Sequence, residues 1–162
     1  MMFTKLFLAA CFIVLNLSQL SRAEKINRQG FLDAHNKWRA EVGVGPLVYS
    51  ETLEKYAQDY ADQRSGDCAM QHSGGPYGEN LSIWGPGDGV GAVDWWCTER
   101  EDYDHESNTC ISGGINCFHY TQVVSRKSVQ VGCGVSKCPN GNDVYVVCSY
   151  DPPGNCEGEK PY

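Results

Sequence analysis

Positive charge is in short supply in this sequence. Its 13 lysine and arginine residues are outnumbered by 20 aspartate and glutamate residues, which gives a formal net charge of −7. Because phosphate groups repel an acidic chain, we expect neither a nucleic acid nor an anionic membrane as a partner. Long apolar runs are also scarce. The run over residues 6–17 is too short for a comfortable membrane span and no second run follows it, so we expect no transmembrane segment.

Several motifs of catalysis and metal binding are absent. The sequence contains no His-Glu-x-x-His, no Gly-x-Ser-x-Gly and no Cys-x-x-Cys. These absences argue against a zinc protease, a serine hydrolase and a thiolate zinc site.

Residues 1–23 predict a secretory signal peptide. Lys5 gives a positively charged N-terminal region, and residues 6–17 form the apolar run that follows it. Ser21-Arg22-Ala23 fits a small-residue cleavage site. Cleavage after Ala23 would leave residues 24–162 as a single secreted domain. Loss of Lys5 and Arg22 would change the net charge from −7 to −9.

Cysteine is abundant, with nine residues, of which Cys11 would be lost with the leader. An even number of cysteines in a secreted chain predicts disulfide bonds. The sequence alone leaves their pairing open. The eight that remain are Cys68, Cys97, Cys110, Cys117, Cys133, Cys138, Cys148 and Cys156.

Apolar periodicity predicts helices over residues 28–41, 51–64 and 92–103. His35 lies on the apolar side of the first helix, where we interpret it as a core histidine with local hydrogen bonds. Glycine and proline indicate a loop over residues 65–91. Alternation of apolar and polar residues around Asn140-Gly141 predicts an antiparallel hairpin over residues 129–150. The tail over residues 151–162 has few apolar side chains that could be buried.

Two imidazoles and two carboxylates lie in three short segments of the sequence, over residues 72–80, 96–103 and 117–124. Such groups can share a metal ion or hold protons against one another. We expect the fold to bring them to one cleft, and the alternative is a hydrogen-bonded polar core without a ligand. The four residues are His72, Glu79, Glu99 and His119.

An ordered set of short motifs runs through residues 24–162. The most specific are Ala34-His35-Asn36, Gly43-Val44-Gly45-Pro46-Leu47, His72-Ser73-Gly74-Gly75-Pro76-Tyr77-Gly78-Glu79-Asn80, His119-Tyr120-Thr121-Gln122-Val123-Val124 and Cys148-Ser149-Tyr150-Asp151-Pro152. Taken together they resemble the CAP superfamily and, within it, the plant pathogenesis-related proteins of family one. The resemblance covers essentially the whole predicted mature chain.

The resemblance implies an α+β fold, an α-β-α sandwich with a central antiparallel sheet stapled by three disulfides. Two cysteines stay without an assigned partner, and for these we predict a fourth bridge, Cys97–Cys156. The chain also has Ser125 where the family usually has tryptophan. The three implied bridges are Cys68–Cys138, Cys110–Cys117 and Cys133–Cys148.

The resemblance also implies a role for the four cleft residues. His72 and His119 would hold a divalent metal such as zinc through imidazole nitrogens. Glu79 and Glu99 would orient the two rings. No cofactor is required by this interpretation.

The resemblance implies a secreted, monomeric plant defence protein of the apoplast that is not an enzyme. It would have antifungal or anti-oomycete action through binding of a pathogen sterol or lipid. A sterol needs a concave apolar wall with few polar contacts. The alternative is a surface loop whose aromatic residues only cover the core. The candidate lipid-binding loop contains Tyr77, Leu81, Ile83, Trp84 and Trp95.

Two other functions are consistent with the sequence. Residues 152–162 resemble an immune peptide released from the C-terminus of some family members, with cleavage after Asp151. An accessible tail with little apolar surface suits proteolysis. The other alternative is a metal-assisted hydrolase with His72 and His119 as ligands and Glu79 or Glu99 as base.

Overall fold

The computed structural model describes residues 26–162, so the predicted signal peptide, residues 1–23, lies outside the described residues. Within this range no helix is long and apolar enough to cross a membrane. In chain order the elements are α1 (Arg28–Glu41), β1 (Val48–Tyr49), α2 (Glu51–Arg64), β2 (Gly78–Trp84), α3 (Gly91–Cys97), a 3-10 turn (Thr98–Asp102), β3 (Tyr103–Asp104), β4 (Thr109–Cys110), α4 (Phe118–Val123), β5 (Gln130–Lys137) and β6 (Val144–Asp151).

The first two helices begin where side chains cap them. The Asn27 Oδ1 accepts a hydrogen bond from the Gly30 amide at 2.9 Å, and the Ser50 Oγ accepts one from the Leu53 amide at 3.4 Å. Each bond satisfies an amide that has no partner inside its helix. The predicted helices over residues 28–41 and 51–64 are confirmed.

The main sheet has the strand order β1-β5-β6-β2. β5 and β6 pair antiparallel, which confirms the predicted hairpin, and β6 pairs antiparallel with β2. The two-residue strand β1 instead lies parallel to β5, so the predicted antiparallel arrangement holds only for the three long strands.

Helix α2 covers one face of the sheet, and α1, α3 and α4 lie over the other. Two glycines of β5 let α2 approach closely. A Cβ on Gly132 would lie 2.1 Å from the Glu54 nitrogen, and one on Gly134 would lie 2.4 Å from the Gln58 backbone. Real side chains cannot approach backbone atoms so closely, so these positions require glycine.

Two predicted boundaries are wrong. The region over residues 65–91 is not entirely loop, because residues 78–84 form the edge strand β2. The predicted helix over residues 92–103 ends at Cys97 and continues as a 3-10 turn. The Thr98 hydroxyl donates to the Trp95 carbonyl at 2.7 Å where the helix changes pitch.

The three disulfides implied by the resemblance are present: Cys68–Cys138, Cys110–Cys117 and Cys133–Cys148. The predicted fourth bridge is wrong, because Cys97 and Cys156 are both free thiols among the described residues 26–162. Cys97 is fully buried in the core. Cys156 is held elsewhere because its neighbour Asn155 bonds the Thr121 hydroxyl at 2.6 Å and the Phe118 carbonyl at 2.9 Å.

His35 is a buried core residue, as predicted. Its Nδ1 lies 2.7 Å from the Phe31 carbonyl and its Nε2 lies 2.8 Å from the Tyr150 hydroxyl. A carbonyl only accepts, so Nδ1 carries the proton and Nε2 accepts from Tyr150. Burial lowers the pKa of His35 to about 4.

Arg39 is buried in the same layer without a carboxylate partner. Its guanidinium donates to the carbonyls of Gly45, Val123, Ser125 and Ser128 at 2.8–3.0 Å. Burial lowers the pKa of Arg39 to about 10, so it remains a cation at neutral pH. The side chain therefore joins the end of α1 to the segment between α4 and β5.

Candidate functional site

The first histidine–carboxylate pair lies at the start of α4. The Glu99 carboxylate accepts from the His119 Nδ1 at 2.6 Å, and from the backbone amides of His119 and Tyr120 at 3.0 and 3.3 Å. An anion at a helix N-terminus satisfies amides that lack partners. The His119 ring stacks on Trp96 with centroids 6.0 Å apart. Glu99 therefore fixes both the helix start and the ring.

The second pair lies on the edge strand β2. The Glu79 Oε1 accepts from the His72 Nδ1 at 2.7 Å and from the Ser73 amide at 2.9 Å. The other oxygen, Oε2, is buried without a hydrogen-bond partner. The His72 side chain is 64% exposed, whereas that of Glu79 is 6% exposed. A buried carboxylate thus holds an exposed imidazole.

The strand β2 turns the side chains of Glu79 and its neighbour Asn80 to opposite faces. Glu79 shares a face with Leu81, which packs in the core cluster of α2. The next residue, Asn80, points to the other face, where its side chain donates to the His119 carbonyl at 3.0 Å. Residues 79 and 80 thus connect both pairs through one peptide unit.

The four predicted cleft residues are therefore present as two pairs. Within residues 26–162 no group of three or more His, Cys, Asp or Glu side chains is arranged to hold a metal ion. The chemistry of each pair still suits a metal ligand, because a carboxylate on Nδ1 orients a ring whose Nε2 is left for the metal. The residues that would hold zinc are His72 and His119, with Glu79 and Glu99 behind them.

The predicted lipid-binding residues do not form a loop. Tyr77 precedes β2 and packs edge-to-face against Tyr56, and Leu81 is buried within the strand. Ile83 and Trp84 lie at the end of β2 on opposite faces, with Ile83 45% exposed. Trp95 lies on α3 and is 58% exposed. The exposed apolar surface is therefore the end of an edge strand with the adjoining helix.

A further cavity of about 140 Å³ lies under the tail of the chain. Its wall includes Tyr103, Phe118, Thr121 and Cys156. Burial raises the pKa of Tyr103 to about 12, so its hydroxyl stays neutral and donates to Asn108 at 2.8 Å. Sequence patterns did not predict this cavity, because the tail has few apolar residues that would indicate packing.

Comparison with known proteins places these features in a family. Residues 32–150 match the model of the CAP family, described as the cysteine-rich secretory protein family. The chain is 49% identical to pathogenesis-related protein 1A of Nicotiana tabacum over 160 residues, 97% of this chain and 93% of that protein. It is 51% identical to pathogenesis-related protein 1 of Arabidopsis thaliana over 136 residues, 83% and 81% of the two chains.

Solved structures agree with this assignment. Schistosoma mansoni venom allergen-like protein 4 is 26% identical with a TM-score of 0.64, covering 83% of this chain and 92% of its own. The structure of NaASP2 with Zn2+ is 27% identical with a TM-score of 0.69, covering 86% of both chains. The α+β sandwich, the three disulfides and the sequence identity agree: the chain belongs to the cysteine-rich secretory protein (CAP) family.

Proposed function

We propose that this chain is a secreted plant defence protein that acts by binding a pathogen sterol or related lipid, without enzymatic activity. Its similarity to plant pathogenesis-related proteins, at 49% identity to the tobacco protein 1A, supports the defence role. In this proposal the mature protein works as a monomer in the apoplast and has an antifungal or anti-oomycete effect.

The observation that carries the lipid proposal is the apolar surface at the edge of the sheet. Ile83 is 45% exposed on the edge strand, and Trp95 is 58% exposed on the helix α3, which packs against that strand. Trp84 points to the opposite face of β2 from Ile83, and its indole ring lies against Gly91 at the start of α3. Exposed apolar side chains beside a partly buried indole suit the flat, apolar body of a sterol.

A fluorescent sterol such as dehydroergosterol tests the proposal by titration. We expect saturable binding by the mature protein, weakened about tenfold or more in Ile83→Ser and Trp95→Ser, because each change removes a large apolar contact. Val48→Ser is the matched control, since Val48 is 65% exposed on the opposite edge strand. Absence of saturable binding, or an equal loss in the Val48 variant, would contradict the proposal.

A second proposed function is that of a peptide precursor, with cleavage after Asp151 and release of residues 152–162. The supporting observation is that Asp151 is the last residue of β6, and the chain beyond it contains no strand or helix. Cleavage there would leave the sheet complete. Incubation of the mature protein with apoplastic fluid, followed by mass spectrometry, should yield the peptide 152–162. An intact tail after prolonged incubation would argue against this function.

We also infer that the two imidazoles can hold a divalent metal such as zinc, although the proposed functions do not require it. The support is the carboxylate on each Nδ1, at 2.7 Å for His72 and 2.6 Å for His119, and the similarity to NaASP2, whose structure contains Zn2+. Calorimetric titration with zinc should give binding that is lost in His72→Gln and in His119→Gln. Unchanged binding in the double variant would refute the site.

A further inference from the structure

The last residue of the chain is held by an aromatic cluster. The Tyr162 ring stacks on the His105 ring, with centroids 4.7 Å apart and an interplanar angle of 19°. The rings of Tyr103 and Tyr120 meet it edge-on, with centroids at 6.0 and 6.4 Å. Aromatic contacts of this geometry stabilise beyond the area that they bury. These contacts therefore fix the Tyr162 side chain against the body of the protein.

The backbone beside Tyr162 is also bound. His105 Nε2 donates to the main-chain oxygen of Tyr162 at 2.8 Å, and the Arg126 amide donates to the Pro161 carbonyl at 2.6 Å. Pro161 is itself buried. We call the surface formed by Tyr103, His105, Tyr120 and Arg126 the tail groove. It contacts Pro161 and Tyr162 through its aromatic rings and through hydrogen bonds to both main-chain oxygens.

The beginning of the tail is bound separately. The Gly154 amide donates to the Gln122 side chain at 2.9 Å. Asn155 bonds both the Thr121 hydroxyl and the Phe118 carbonyl. The partners of both residues are on or next to α4. Residues 152–162 are therefore attached to the body at both ends, with the cavity between them.

We propose that the tail groove is a peptide-binding site for a Pro-Tyr segment, occupied by the chain's own residues 161–162, and that it retains residues 152–162 after cleavage at Asp151. The proposal deepens the peptide-precursor function. Cleavage alone does not free the peptide, because cutting the peptide bond after Asp151 breaks none of these contacts. Release is a separate dissociation step, which the tail groove controls.

The test uses the mature chain with a recognition sequence for a site-specific protease inserted after Asp151. The cut protein is passed over a size-exclusion column, and the peptide in each fraction is quantified by mass spectrometry. We expect the peptide to elute with the body. Tyr162→Ala and His105→Ala should each reduce the retained fraction about tenfold, since each removes the ring stacking and His105→Ala also removes a hydrogen bond. Tyr162→Phe is the matched control that keeps the ring and loses only the 3.3 Å hydrogen bond from the Tyr120 hydroxyl, so it should retain most of the peptide.

A peptide that elutes freely from a cut body with unchanged circular dichroism would overturn the proposal, as would equal retention by Tyr162→Ala. If the cut body unfolds, hydrogen exchange on the uncut chain decides the question. The Arg126 amide should be protected in the parent chain and should exchange about tenfold faster in Tyr162→Ala. Equal exchange in the two proteins would also overturn the proposal. Failure of plant proteases to cut after Asp151 would instead remove only the precursor function.

Discussion

Acidification should destabilise this protein through one buried histidine. His35 is fully buried, and its Nε2 already accepts a hydrogen bond from the Tyr150 hydroxyl. Protonation of Nε2 would place a cation in the core next to the Arg39 guanidinium, which also lowers the pKa of His35. The folded protein therefore resists a proton that the unfolded chain accepts.

The sign and the size of the effect follow from the two pKa values. The pKa of His35 is about 4 in the folded state against 6.5 for the ordinary side chain. Between these values the unfolded state binds more protons, so the free energy of unfolding falls as the pH falls. The loss attributable to His35 is about 2 kcal/mol at pH 5 and about 3 kcal/mol at pH 4. Above pH 6.5 it is negligible.

Urea unfolding of the parent chain and of His35→Gln, followed by tryptophan fluorescence between pH 7 and pH 4, isolates this contribution. Carboxylates change both proteins alike, so the stability advantage of the parent should shrink by about 3 kcal/mol across the range. Tyr150→Phe is the control that keeps the histidine buried, and it should keep the pH dependence. A stability difference that stays constant within about 1 kcal/mol from pH 7 to pH 4 would refute the reasoning.

Two further predictions concern other buried groups. Arg39→Met leaves four backbone carbonyls without their donor, so the free energy of unfolding should fall by about 3–5 kcal/mol in urea, and a loss below about 1 kcal/mol would contradict the assigned role. A thiol reagent should label the native mature protein once, at Cys156, and should reach Cys97 only after unfolding, because burial encloses that thiol and raises its pKa. Peptide mapping that finds neither thiol labelled in the unfolded, unreduced protein would restore the Cys97–Cys156 bridge.

The helices and the hairpin could be predicted because their signals are local. Ser50 caps the second helix, and Asn140-Gly141 lies in the turn between β5 and β6. The edge strand β2 was missed because glycine and proline dominate the composition of residues 65–91, and alternation over seven residues is a weak signal beside them.

The candidate site could be predicted only as a set of residues. Which face of β2 each residue occupies depends on its register with β6, and the sequence of β2 does not state that register. Motif spacing therefore could not indicate that Asn80, next to Glu79, contacts the His119 carbonyl. The tail was misjudged for a related reason, since the partners of Tyr162 are distant in sequence.

The hydrogen bond from Asn80 to the His119 carbonyl affects whether Asn80 can carry an N-linked glycan. Asn80-Leu81-Ser82 satisfies the acceptor pattern for an N-linked glycan, which is attached to the asparagine side-chain nitrogen. That nitrogen is the donor to His119, and Asn80 is only 1% exposed. A glycan on Asn80 would have no room in this fold, so we expect the folded protein to carry none at this acceptor sequence.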